Sequence, residues 1–225
     1  MKKSALNNAG MLLRALQIST CVLTLAWMSG CASASYDKAG AASASLRRAA
    51  LDINVENRMI DVTMASLDDL INNASGDLRP HFERFNTSLN GLIDASNRAE
   101  KSAARAKEKS ADYFKTWDKE SASMNFEAVR DQSVARKTEV SNEFNTVNQR
   151  YHQNQAVVEP LITYLKDIRT ALGTDLTAGG VQSVKPLAEN ARQNAQKVQT
   201  ALAQLSDELA ASGTRMSTYV MPASQ

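Results

Sequence analysis

The sequence predicts an all-α protein: an elongated antiparallel bundle of three to four long helices, packed in the manner of a coiled coil. Three observations predict it. Glycine and proline are scarce, nine and four in 225 residues, and aromatic residues make up only 5%. Ala, Ser, Asn, Gln, Glu, Lys and Leu dominate, a composition that suits long helices. Apolar residues recur at alternating spacings of four and three over several heptads, the period of helices packed on helices rather than of strands.

The first thirty residues stand apart. Lys2, Lys3 and Arg14 form a positive leader, and Ala15 to Met28 is a short apolar stretch broken only by Gln17, Ser19, Thr20 and Thr24. A membrane-spanning helix needs about 20 consecutive apolar residues, so this segment reads as a secretory signal peptide. Met28-Ser29-Gly30-Cys31 resembles a bacterial lipobox, in which cleavage leaves a cysteine to be acylated. A cut after Ala34 also satisfies the small-x-small rule and would leave a free chain. The expectation is a signal peptide over 1–30, a single elongated domain over 31–225, and lipidation at Cys31. Cys21 departs with the signal, so Cys31 has no disulfide partner, and acylation accounts for an exported lone thiol. Two or more acyl chains anchor stably where one does not. No aspartate follows Cys31, which by resemblance to the Gram-negative sorting rule implies the inner leaflet of the outer membrane, facing the periplasm.

Charge supports no nucleic-acid role. Without residues 1–30 the 26 basic residues fall to 23 against 24 acidic ones, so the formal +2 becomes −1. A nucleic-acid binder normally shows a basic footprint.

The first helical run is Leu46, Ala50, Ile53, Asn57, Ile60, Met64, Leu67, Ile71. The second runs from Phe82 through Phe85, Leu89, Leu92, Ser96, Ala99, Ala103, Ala106, Ser110 and Tyr113 to Trp117. The third is Val140, Phe144, Val147, Tyr151, Asn154, Val158, Leu161, Leu165, Ile168, Leu172. The fourth is Val184, Ala188, Ala191, Ala195, Val198, Leu202, Leu205, Leu209. Between the first two, Asn73 to Asp77 combines a glycine C-cap with an aspartate N-cap, and Pro80 falls in a first turn, where its missing N–H is harmless. A weaker turn is expected at Ser121 to Asn125. Gly173 to Gly180, with three glycines and two threonines, reads as a linker. Pro160 lies inside the third run and predicts a kink. Short connections make the helices antiparallel, and the second and third should be the longest.

No catalytic, cofactor-binding or metal-binding constellation is present. His81 and His152 have no ligand spacing, and no HExxH, CxxC, glycine-rich phosphate loop or GxSxG motif occurs. The carboxylates are scattered over helix faces as solvated charge, and no enzyme is expected. Lys101, Arg105 and Lys109 form a basic stripe, read as the exposed face of a helix. Tyr113, Phe114 and Trp117 read as core at helical spacing. The tail after Gly213 either docks through Met216, Tyr219, Val220 and Met221 or frays.

Gly76-Asp77-Leu78, Phe114-x-x-Trp117-x-x-Glu120 and Glu159-Pro160-Leu161, followed by Asp167 and Leu172, carry a family resemblance. The chain resembles an uncharacterised family of bacterial helical lipoproteins, a domain of unknown function, with the segment after Leu172 departing from its pattern. The resemblance implies a rod-like helical fold and an envelope location, and it transfers no active-site residue.

The expected function is a membrane-anchored periplasmic spacer or interaction module, its contacts being the membrane through Cys31 and an envelope protein or peptidoglycan. The alternative is a binding module holding a lipid or small hydrophobic ligand between helices where alanines leave room. Laying the helices side by side brings Asn57, Ser96 and Asn154 to nearly one height, near Ala195. These residues are expected to form a polar layer that fixes register, because a slipped helix would bury an amide against hydrocarbon.

Overall fold

The computed structural model describes residues 31–73 and 75–217. The signal-peptide reading of 1–30 and the tail residues Tyr219, Val220 and Met221 lie outside the described residues.

Four helices account for nearly all of it: α1 (Cys31–Asn72), α2 (Arg79–Ala122), α3 (Glu127–Thr174) and α4 (Ala178–Arg215). The two middle helices are the longest, at 44 and 48 residues, about 66 and 72 Å at 1.5 Å per residue. Each helix packs on two neighbours, α1 on α2, α2 on α3, α3 on α4 and α4 on α1, so the chain closes into an up-and-down four-helix bundle. Among the described residues there is no strand, and no helix is long and apolar enough to cross a membrane.

The last two turns are tighter than the sequence suggested. Among the described residues only Gly76 adopts a left-handed backbone, φ 85°, which lets the chain reverse after α1. Asp77 was expected as the N-cap of α2, but the helix opens at Arg79. The Asp77 carboxylate instead accepts the Arg79 N–H at 3.1 Å and pairs with its guanidinium. The predicted Gly173–Gly180 linker shrinks to residues 175–177, since Gly173 lies in the last turn of α3 and Gly179 and Gly180 in the first turn of α4. Thr177 caps α4 by accepting the Gly180 N–H at 3.1 Å. A Cβ on Gly180 would lie 2.1 Å from the Asp175 carbonyl, so this close return requires glycine. The α2–α3 turn falls at residues 123–126, within two residues of its predicted place, and α3 runs on through Pro160.

The predicted 4-3 positions form the core of α3 and α4, where every one except Asn154 is buried. On α1 the structure adds a second seam, Leu46, Ala49, Ile53, Glu56, Ile60, Thr63, Leu67 and Leu70, all fully buried. It shares four residues with the predicted run and is rotated toward α2. The Thr63 hydroxyl donates to the Ser88 carbonyl of α2, whereas Asn57 on the predicted run reaches α4. A helix with two neighbours needs two overlapping seams, because one 4-3 stripe covers only one contact.

Candidate functional site

α2 and α3 are pinned together near both ends and part between. At one end Arg169 donates to Asn90 at 2.9 Å. At the other, Lys137 pairs with Asp118 at 2.9 Å and the Trp117 indole N–H donates to Ser133 at 2.8 Å. Trp117 is half-buried against Tyr113, ring centroids 5.3 Å apart, and Tyr113 and Phe114 pack on the core. Between these ends lies a cleft of about 560 Å³. On the α2 side its wall includes Ser96, Glu100 and Ala104, and on the α3 side Tyr151, Gln155 and Glu159.

A carboxylate that the sequence reading missed stands behind this wall. Glu56 is fully buried, and neither oxygen has a hydrogen-bond partner. Desolvation pushes its pKa above the usual carboxylate range. The Ser96 hydroxyl lies close enough to favour the charged form somewhat, without making a hydrogen bond of normal geometry. Tyr151 is 7% exposed, its hydroxyl also lacks a partner, and its pKa is raised by burial and then by the charges of Glu100 and Glu56. Tyr151 therefore sits within electrostatic reach of both carboxylates. The Gln155 amide nitrogen is buried without a partner as well. Of the seven such buried atoms among the described residues, five belong to Glu56, Asn57, Tyr151 and Gln155, so unmet polarity is concentrated at this one level of the rod.

The sequence-predicted polar residues fall at this level on different sides. Asn57 and Asn154 are half-buried, and each donates to a carbonyl of α4, Asn57 to Gln199 at 3.2 Å and Asn154 to Ala201 at 3.3 Å. Those carbonyls are two residues apart, about 3 Å along the helix. The two amides do not bond one another; they approach α4 from its two neighbours, four to six residues beyond Ala195. Ser96 is half-buried on the opposite side of the bundle, beside Glu56 and in the cleft wall. Glu56 carried a signal in the sequence: it lies three residues after Ile53 and four before Ile60, within the α1 seam that a single stripe overlooks.

The other singled-out residues have local roles. His81 bonds Asp69 at 2.7 Å through Nδ1, and Arg84 reaches the same carboxylate at 2.7 Å, holding the Asp69 pKa down to about 2 and tying α1 to α2. His152 is exposed in the cleft wall, edge-on to Tyr151. Lys101 and Arg105 are exposed and line a shallow groove against α1, and Lys109 pairs with Glu108. Among the described residues no group of three or more His, Cys, Asp or Glu side chains is arranged to hold a metal ion.

A family model described as Protein of unknown function (DUF2959) matches residues 48–218. The match spans the α3–α4 turn and all of α4, so the stretch after Leu172, expected to depart from the family pattern, lies within the matched region. No curated protein and no solved structure matches the chain.

Proposed function

The chain belongs to the family described as Protein of unknown function (DUF2959), and from that premise we propose that it is a lipid-anchored helical rod of the bacterial envelope. It has no catalytic role and carries an interaction surface at a set distance from the membrane. The observation that supports this reading is that the chain is already helical at Cys31, the cysteine of the Ser-Gly-Cys junction. An acylated Cys31 would then lead into the rod without a flexible linker. The 42 residues of α1 span about 63 Å, so the turns at 73–78 and 175–177 stand that far from the anchored end. Mass spectrometry of the mature N-terminus tests the anchor. The expected species begins at Cys31 and carries acyl mass, and Cys31→Ala moves the protein to the soluble fraction. A chain beginning at Ser35 without acyl mass overturns it.

A second reading, a binding module, is supported by the α2–α3 cleft. Its walls mix apolar with polar side chains, and its volume falls within the range of about 300–1,000 Å³ common for small-molecule sites. A purely hydrophobic occupant suits it poorly, because Glu56 would be left unpaired behind it.

A further inference from the structure

We propose that the α2–α3 cleft binds an aliphatic amine, with the ammonium against Tyr151 beside the Glu100 carboxylate and in front of the enclosed Glu56, and the hydrocarbon body along the apolar wall. The proposal rests on the binding-module reading and names the ligand class for that site.

The buried groups select the charge. Glu56 holds two unpartnered oxygens behind the wall, Tyr151 an unpartnered hydroxyl within it, and Glu100 lines the cleft. An ammonium has three N–H donors for the carboxylate oxygens on the wall and a charge that suits the enclosed Glu56, and the face of a tyrosine ring also attracts a cation. Glu159 adds a third negative group on the rim, and neither Glu100 nor Glu159 is in an ion pair. A carboxylate ligand would place like charge beside Glu56 and Glu100. A neutral hydrocarbon would leave Glu56 desolvated and unmatched.

The walls select the rest. Ile93 and Ala103 of α2 and Ile162 of α3 supply an apolar surface next to the polar centre. Lys107 and Lys166 stand toward opposite ends of the cleft. Going by the lining residues, the cleft runs from 93 to 107 on α2, roughly 21 Å. A second positive charge at either end of a long ligand would meet a lysine, so one ammonium is favoured over a polyamine.

The test uses the full chain carrying Cys31→Ala and three probes of equal length: n-hexylammonium, hexanol and hexanoate, titrated by calorimetry. Hexylammonium is expected to bind, with hexanol at least about tenfold weaker and hexanoate undetectable. Glu56→Gln is expected to weaken the amine about tenfold or more while hexanol is unaffected. Ala104→Phe, at an exposed position in the cleft wall, should abolish binding of every probe without touching the core. Equal affinity for all three probes, or an unchanged affinity for the amine in Glu56→Gln, overturns the amine class but leaves the cleft a binding site. Absence of binding by any probe overturns both readings. Should Glu56→Gln fail to fold, Tyr151→Phe provides the same comparison, and an amine affinity unchanged in that variant counts against the proposal.

Discussion

On the face of α2 that meets α1, Ser88, Ala95 and Ser102 are each at most 9% exposed and the two helices close on one another. On the face that meets α3, Ser96 and Ala103 are half-buried in the wall of a cleft. The residues are alike in size, and what differs is what stands opposite. α1 presents Ile53, Ile60 and Leu67, flat apolar surface onto which a small residue can settle. It presents Thr63 as well, whose hydroxyl is absorbed by the Ser88 carbonyl at 3.1 Å. α3 presents Tyr151, Gln155 and Glu159, long side chains whose polar ends make no hydrogen bond to α2. A small residue permits close approach, and the partner decides whether it happens.

Cutting into the closed side gives the largest expected effect. Leu92 is fully buried there, and Leu92→Ala should cost about 2–5 kcal/mol in denaturant unfolding through lost burial and the cavity left behind. Overfilling discriminates between the two faces more directly. Ala99→Leu, at a fully buried position, should cost about 1–3 kcal/mol, while Ala104→Leu in the open wall should stay within about 0.5 kcal/mol. Equal costs for these two would erase the distinction between a closed and an open face.

Glu56 lies where the two faces meet, and its removal should stabilise the rod. Glu56→Met removes a buried acceptor pair without partners and is expected to raise stability by about 1–3 kcal/mol near neutral pH. The sign with pH follows from its raised folded-state pKa. Below the unfolded value of 4.5 the group is protonated in both states and its contribution is fully present. As pH rises through the higher folded-state value, the folded protein must lose a proton that it holds more tightly than the unfolded chain does, and that stability is lost. The melting-temperature gap between Glu56→Met and the wild type should therefore widen from pH 4.5 upward, and a constant gap would contradict the burial of a titrating carboxyl. Asp69 works the other way: with its pKa held at about 2 by Arg84 and His81, its contribution is lost as pH falls from 3.8 through that value.

The smallest effect belongs to Gly91. A Cβ there would meet the Met59 methyl at 2.8 Å, yet that methyl is the free end of a flexible side chain and can swing aside. The helix-propensity gain of Gly91→Ala, up to about 1 kcal/mol, should offset the shift, leaving a net change within about 0.5 kcal/mol in thermal unfolding. A loss of several kcal/mol would mean that α1 and α2 are locked backbone to backbone at this level.

Much of the fold was legible because local chemistry writes it directly. Gly76 and Asp77 mark one turn, the loss of 4-3 spacing after Trp117 marks another, and the stripes of α3 and α4 read straight through to their buried faces. The error at Gly173–Gly180 came from taking glycine as a loop former, when Gly180 is needed for steric clearance inside the first turn of α4. The site was less legible. The sequence reading singled out Ser96, Asn57 and Asn154 as interruptions of an apolar stripe, and passed over Glu56 because a charged residue beside a stripe ordinarily lies on a solvated face.

The sequence by itself determined a bundle of three to four long helices, which of them are longest, their order and the residues of one seam on each, because a 3.6-residue period and its punctuation are local properties of the chain. Only the tertiary structure decided which of two adjacent residues on α1, Glu56 or Asn57, would be fully enclosed. Neighbouring positions on a helix point about 100° apart, and a helix flanked on two sides buries both directions. Whether a polar group there is met, as Asn57 is by the Gln199 carbonyl, or left unmatched, as Glu56 is behind Ser96 and Tyr151, depends on the helix across from it. Periodicity within one helix carries no information about that partner.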